Sequence, residues 1–228
     1  MENDRLSAGK ISRPQVKICG ITSITDALAC ANLGADAVGC VFYPKSPRHL
    51  DDNQAKEISL AVAEKIQTVG VFANETFSRI MQRVERCRLS AVQLHGQESP
   101  ELISRLHNEK VVVIKALFAD GQPSFKDISS YHASAFLLEC GQGKLPGGNA
   151  LKWDWGLAKD IGNRYSLIIA GGLAPDNVSY AIGVSRPHAV DVSSGVESSP
   201  GRKDRDKVAD FMAEVSRYKL KYDFNKIF

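Results

Sequence analysis

Five short stretches of this chain carry side chains that could do chemistry, and a cysteine stands in the first of them. In Lys17-Ile18-Cys19-Gly20 an extended backbone would place Lys17 and Cys19 on one face and Val16 and Ile18 on the other. The apolar pair suits a layer of helices, which turns Lys17 and Cys19 inward and leaves Cys19 at the end of a strand. A thiolate there, its pKa lowered by a neighbouring cation, could abstract a proton as a general base. On residue type alone a free cysteine is more often a small buried hydrophobe. Lys17 reads chiefly as half of an interior ion pair with a strand-end carboxylate; lowering the Cys19 pKa is its other use.

Four more stretches add binding and proton-transfer groups. Arg48, in Ser46-Pro47-Arg48, could grip a carboxylate through two parallel hydrogen bonds, or lie on the surface. In Gln93-Leu94-His95-Gly96, Gln93 and His95 share a face by the same alternation, and His95 could bond a substrate or sit satisfied in the core. Glycines at Gly171 and Gly172, and the run Ser193-Ser194-Gly195, would let backbone N–H groups and hydroxyls approach an anion such as phosphate. Glu139 precedes a loop holding Leu145-Pro146-Gly147-Gly148-Asn149. It could be the general acid that a cysteine base needs as partner, or a solvated loop carboxylate.

These residues need a frame, and the chain alternates short β-branched runs with amphipathic stretches every 20–30 residues or so, the rhythm of βα units. Strands are predicted at Val16–Cys19, Ala37–Phe42, Thr68–Phe72, Ala91–Leu94, Val111–Ala116, Ala135–Leu138, Leu167–Ala170 and Ala189–Val192. Helices are predicted at Ile24–Leu33, Ala55–Glu64, Phe77–Cys87, Pro100–His107, Trp155–Ile161, Asn177–Ile182 and Lys203–Tyr218, with Pro123–Ser130 a weaker candidate. Eight such units count to a closed (β/α)8 barrel in one domain rather than an open doubly wound sheet. Residues 1–15 read as a flexible leader, 16–218 as the barrel and 219–228 as a peripheral tail. Active sites of this fold lie at the C-terminal strand ends, with phosphate commonly held after strands seven and eight. Each candidate above falls at such a position.

Composition narrows the function. A net charge of +3 with scattered basic residues argues against nucleic acid as partner. No apolar run approaches the roughly 20 residues of a membrane span, and the charged N-terminus is no signal peptide. The five cysteines, odd in number and without C-x-x-C spacing, speak against a disulfide framework or a zinc site and for a reducing compartment, the cytoplasm. Sequence does not choose between monomer and homodimer.

Taken together, the segments from Val16-Lys17-Ile18-Cys19-Gly20-Ile21-Thr22 to Asp191-Val192-Ser193-Ser194-Gly195-Val196-Glu197 resemble phosphoribosylanthranilate isomerase. Val69-Gly70-Val71-Phe72-Ala73-Asn74, Gln93-Leu94-His95-Gly96 and Ile169-Ala170-Gly171-Gly172-Leu173 fall between them in order. The resemblance implies a TIM barrel that turns N-(5-phosphoribosyl)anthranilate into 1-(2-carboxyphenylamino)-1-deoxyribulose 5-phosphate by an Amadori rearrangement in tryptophan biosynthesis, without metal or organic cofactor. It implies Cys19 as the base at C2, Glu139 as the acid on the furanose oxygen, and Arg48 on the anthranilate carboxylate. Gln93, His95 and Asp191 would bind the substrate, and Gly171, Gly172, Ser193, Ser194 and Gly195 its phosphate.

Two departures from the family pattern stand out: Glu139 replaces an aspartate, and Gly147-Gly148-Asn149-Ala150 replaces Gly-Gly-Thr-Gly. An extra methylene moves a carboxyl by about 1 Å, enough to cost a hundredfold in rate. They leave open a non-catalytic phosphosugar-binding barrel with a degenerate acid position, and make Asp191 the reserve acid. The related histidine-pathway isomerase carries aspartate where this chain has Cys19.

Overall fold

The computed structural model describes residues 13–141, 152–219 and 226–228. The β-branched runs form eight parallel strands: β1 (Gln15–Cys19), β2 (Ala37–Val41), β3 (Gln67–Phe72), β4 (Ala91–Leu94), β5 (Val112–Phe118), β6 (Ala135–Glu139), β7 (Leu167–Ile169) and β8 (Ala189–Val192). They pair in chain order and close, β8 pairing back onto β1 with Lys17 beside Asp191. A short antiparallel hairpin, β9 (Glu197–Ser199) and β10 (Arg202–Lys203), follows the barrel strands.

Among the described residues, six α-helices cover the barrel: α1 (Ile24–Asn32), α2 (Asp52–Val62), α3 (Phe77–Cys87), α4 (Pro100–Asn108), α5 (Val178–Ser185) and α6 (Arg205–Ser216). Their starts follow local chemistry. Asp51 and Gln54 close a capping box on α2, and Ser99 caps α4 with Pro100 in its first turn. Two expected helices are only 3-10 turns, Phe125–Ser130 and Trp155–Ala158. The first is rich in Ser and Asp, whose side chains compete for backbone groups, and the second contains Gly156, with Gly162 following it. Among the described residues, no helix is long and apolar enough to cross a membrane.

Alternation sorts the core into two layers. Val16, Ile18, Val38 and Cys40 point outward into the cluster shared with the helices, while Ala37, Val69, Ile114 and Leu137 fill the interior. Each even-numbered barrel strand opens on an alanine, Ala37, Ala91, Ala135 and Ala189, and all four are buried. Four small side chains leave this end of the barrel underfilled, and Ile227 and Phe228 pack against that cluster. Gln15 fixes them: its Nε2 donates to the Phe228 carbonyl at 2.8 Å, and its Oε1 accepts from the Ile227 N–H at 2.7 Å. These residues of the expected peripheral tail therefore belong to the barrel. The expected leader also ends early, because Arg13 already pairs with Asp36 at 2.8 Å. Residues 1–12 lie outside the described residues.

Candidate active site

At the C-terminal end of β1, Cys19 is buried beside Val41, Val71 and Tyr43. Lys17 lies one turn of the pleat below and makes the interior ion pair expected of it, to Asp191 Oδ1 at 2.8 Å. Burial would lower the Lys17 pKa, but Asp191 and Cys19 outweigh it and raise it, so the ammonium stays charged. Burial pushes the Cys19 thiol up, Lys17 pulls it down, Asp191 pushes up again and Lys203 pulls down, leaving it raised. Gly39 on β2 makes the room: a Cβ there would stand 2.8 Å from Cys19 Sγ and 3.2 Å from Lys17 Cε. Asp191, the reserve acid of the sequence, accepts from Lys17 through Oδ1.

Arg48 is buried on the loop after β2, not on the surface. Its Nε and Nη2 donate to Glu197 Oε1 and Oε2 at 2.8 and 2.6 Å. The two-bond edge that sequence assigned to a substrate carboxylate is thus occupied, and a ligand would meet Nη1. Lys203 from β10 adds a second cation, 2.7 Å from Glu197 Oε1 and 3.2 Å from the Ser193 carbonyl. Burial would raise the Glu197 pKa, yet Arg48 and Lys203 hold it below the usual carboxylate value.

Glu139 ends β6, buried, with its Oε1 3.5 Å from His95 Nε2. Gln93 Nε2 faces His95 Nδ1 at 2.7 Å. An amide nitrogen only donates, so with Gln93 in this orientation Nδ1 is the acceptor and Nε2 is the nitrogen left to face Glu139. Among the described residues, His95 Nε2 and Gln93 Oε1 have no hydrogen-bond partner. The loop bearing His95 is braced by a buried ion pair, Lys115 Nζ to Glu98 Oε2 at 2.8 Å. Lys115 also donates to the Gly96 carbonyl at 2.6 Å, and Glu98 accepts from the Asn74 and Gly96 N–H groups. The Leu145–Asn149 stretch lies outside the described residues.

The glycine-rich loops after β7 and β8 adjoin this mouth. Gly171 and Gly172 both have positive φ, at 80° and 69°, which side chains with a Cβ rarely adopt. A Cβ on Gly171 would lie 3.2 Å from Glu139 Cβ, tighter than ordinary contact, so glycine lets this loop lie against the end of β6. A Cβ on Gly195 would overlap the Leu173 carbonyl, which locks the two loops together. Ser193 Oγ donates to the Cys19 carbonyl at 3.0 Å, tying the last loop to the candidate base. Trp153 and Trp155 donate to the Ala170 and Gly171 carbonyls at 2.9 and 3.2 Å.

Sequence singled out neither Glu197 and Lys203 nor Glu98 and Lys115. Lys115 carried a signal, a lysine between Ile114 and Ala116 in an apolar strand, where burial demands a partner. Lys203 carried none, because its hairpin is too short to stand out.

A closed barrel with a buried thiol, a carboxyl–imidazole pair and two glycine loops at one end defines a (β/α)8-barrel enzyme built for proton transfer on a small anionic substrate. The family model of N-(5'-phosphoribosyl)anthranilate (PRA) isomerase matches residues 16–214. An N-(5'-phosphoribosyl)anthranilate isomerase of Desulfatibacillum aliphaticivorans is 50% identical over 214 residues, 94% of this chain and 98% of that protein. The crystal structure of the Thermotoga maritima phosphoribosylanthranilate isomerase superposes with a TM-score of 0.82 at 41% identity, covering 90% of this chain and 99% of that one. A phosphoribosylanthranilate isomerase in complex with reduced 1-(o-carboxyphenylamino)-1-deoxyribulose 5-phosphate gives a TM-score of 0.79 at 40% identity, with the same coverage. The chain belongs to the phosphoribosylanthranilate isomerase family and is an isomerase of tryptophan biosynthesis.

Proposed function

We propose that the chain rearranges N-(5'-phosphoribosyl)anthranilate to 1-(2-carboxyphenylamino)-1-deoxyribulose 5-phosphate, with Glu139 as acid and Cys19 as base. The observation that carries this reading is the placing of a carboxyl at the end of β6 and a thiol at the end of β1, beside the two glycine loops. The loops around Gly171, Gly172 and Ser193–Gly195 hold the phosphate and fix the sugar across the mouth. Arg48 meets the anthranilate carboxylate through Nη1, its other edge being braced by Glu197.

Two proton transfers then suffice. Glu139 gives its proton to the furanose oxygen, the bond from that oxygen to C1 breaks, and the nitrogen lone pair closes an iminium. The Cys19 thiolate takes the proton from C2, and the electrons of that C–H bond neutralise the iminium to leave an enol. Tautomerisation of the enol gives the ketone. His95 Nε2 faces the carboxyl of Glu139 at 3.5 Å, and Lys17 favours the thiolate. The five free thiols suit a cytoplasmic setting.

Glu139→Gln keeps the shape of the side chain and removes the proton. Turnover is expected to fall about 10²–10⁴-fold, the usual contribution of a positioned acid, with Glu139→Asp retaining more. A Gln variant with most of its turnover would take Glu139 out of the role.

A further inference from the structure

Charge bookkeeping around Cys19 does not close. Arg48 and Lys203 share the single carboxylate of Glu197, while Lys17 and Asp191 cancel each other. The side chains buried behind the thiol therefore hold one positive charge more than their own carboxylates answer. The partly buried Asp26 carboxylate, 3.2 Å from the Lys203 backbone N–H, lies outside that set. An excess buried charge is costly unless an anion joins it. We propose that Lys203 is a positioning residue of the isomerisation, keeping that unanswered charge beside Cys19 and Arg48 for the thiolate and the substrate carboxylate to neutralise. The proposal rests on the reading of Cys19 as base.

The geometry links the groups directly. Lys203 Nζ donates to the Ser193 carbonyl at 3.2 Å, and Ser193 Oγ donates to the Cys19 carbonyl at 3.0 Å. The hairpin β9–β10 brings Lys203 to this point, where its side chain is buried. The other titratable groups acting at Cys19 are Lys17 on its own strand, Asp191 on β8, Arg48 after β2 and Cys40 on β2. Burial and then Asp191 disfavour the thiolate, and Lys17 and Lys203 favour it. Lys17 is already answered by Asp191 at 2.8 Å. Removing any one of these cations takes the cluster from +1 to zero, but removing Lys203 strands no carboxylate, since Glu197 still pairs with Arg48, whereas removing Lys17 would leave Asp191 alone.

The test is alkylation of Cys19 by iodoacetamide across pH 6–10 or so, read on its own peptide by mass spectrometry, beside steady-state KM. In K203M, alkylation at pH 8 is expected to slow about tenfold, and KM to rise because Arg48 is neutralised. K203R keeps the charge and is expected to follow the wild type. The double variant E197Q/K203M frees Arg48 from its counterion and is expected to recover most of the alkylation rate, which a merely structural role for Lys203 would not produce. An unchanged rate in K203M, or a double variant no faster than K203M, overturns the proposal. If K203M does not fold, E197Q alone decides: two unanswered cations should speed alkylation, and an unchanged or slower rate overturns the proposal. Failure of Cys19 as base would appear separately, as turnover surviving in C19A.

Discussion

Raising the pH from 7 to about 10 should loosen this fold through two thiols the reaction does not use. Cys30 faces inward from α1 and Cys40 outward from β2, both in the layer between helices and barrel and at most 1% exposed. Burial pushes each thiol up to about 12, while an unfolded cysteine titrates near 8.5 or so. A raised thiol pKa means that the folded state holds its proton after the unfolded state has released it. This stability is therefore complete below about pH 8.5 and is lost as the pH rises toward the folded value. At pH 10 the unfolded chain is favoured by roughly 1.5 pH units per thiol, about 2 kcal/mol each or 4 kcal/mol for the pair. The assay is urea unfolding under reductant at pH 7, 8.5 and 10, on wild type and on the double variant C30A/C40A. The variant should start lower at pH 7, by about 1 kcal/mol per small cavity, yet lose about 4 kcal/mol less between pH 7 and 10. Lysines and tyrosines titrate in both chains and cancel from the difference. An equal alkaline loss in the two chains would refute the reasoning.

Gly39→Ala would press a methyl group to within 2.8 Å of Cys19 Sγ; kcat/KM should fall about a hundredfold while urea unfolding shows a loss of only about 1–3 kcal/mol. Lys115→Met leaves Glu98, at 1% side-chain exposure, buried without its partner cation and should cost about 3–5 kcal/mol in urea, whereas Glu98→Gln with Lys115→Met should cost less than the single change. Ile227→Ala with Phe228→Ala empties the end of the barrel that they fill. Each truncation should cost about 2 kcal/mol or more in urea unfolding, with kcat at 25 °C or so unchanged because the active site is at the other end.

How far the sequence reached depended on the range of the interaction. Strand positions were legible because alternation is local: the split of Val16 and Ile18 from Lys17 and Cys19 reads directly from four residues. The glycine loops were legible because a backbone needing positive φ selects glycine, as at Gly171 and Gly172. Arg48 was found but its partner was missed, since Glu197 lies 149 residues away and only closure of the barrel brings them together. The packing of Ile227 and Phe228 was not legible for the same reason. Ile227 and Phe228 look like a charged segment's end until the four alanines opposite them show an unfilled interior. The 3-10 turns after β5 and β6 were overcalled because apolar spacing outweighed Ser, Asp and Gly in segments too short to propagate a helix.

The central claim is that Cys19 takes the C2 proton of a phosphoribosylated anthranilate. Its most direct test is steady-state turnover of freshly generated N-(5'-phosphoribosyl)anthranilate, followed by loss of anthranilate fluorescence, in wild type and Cys19→Ala. The wild type should turn over, and the variant should lose about 10²–10⁴-fold in kcat with its circular dichroism unchanged. Turnover surviving in Cys19→Ala would contradict the account. So would a folded wild type that binds phosphosugars without converting them, which would make this a binding barrel instead.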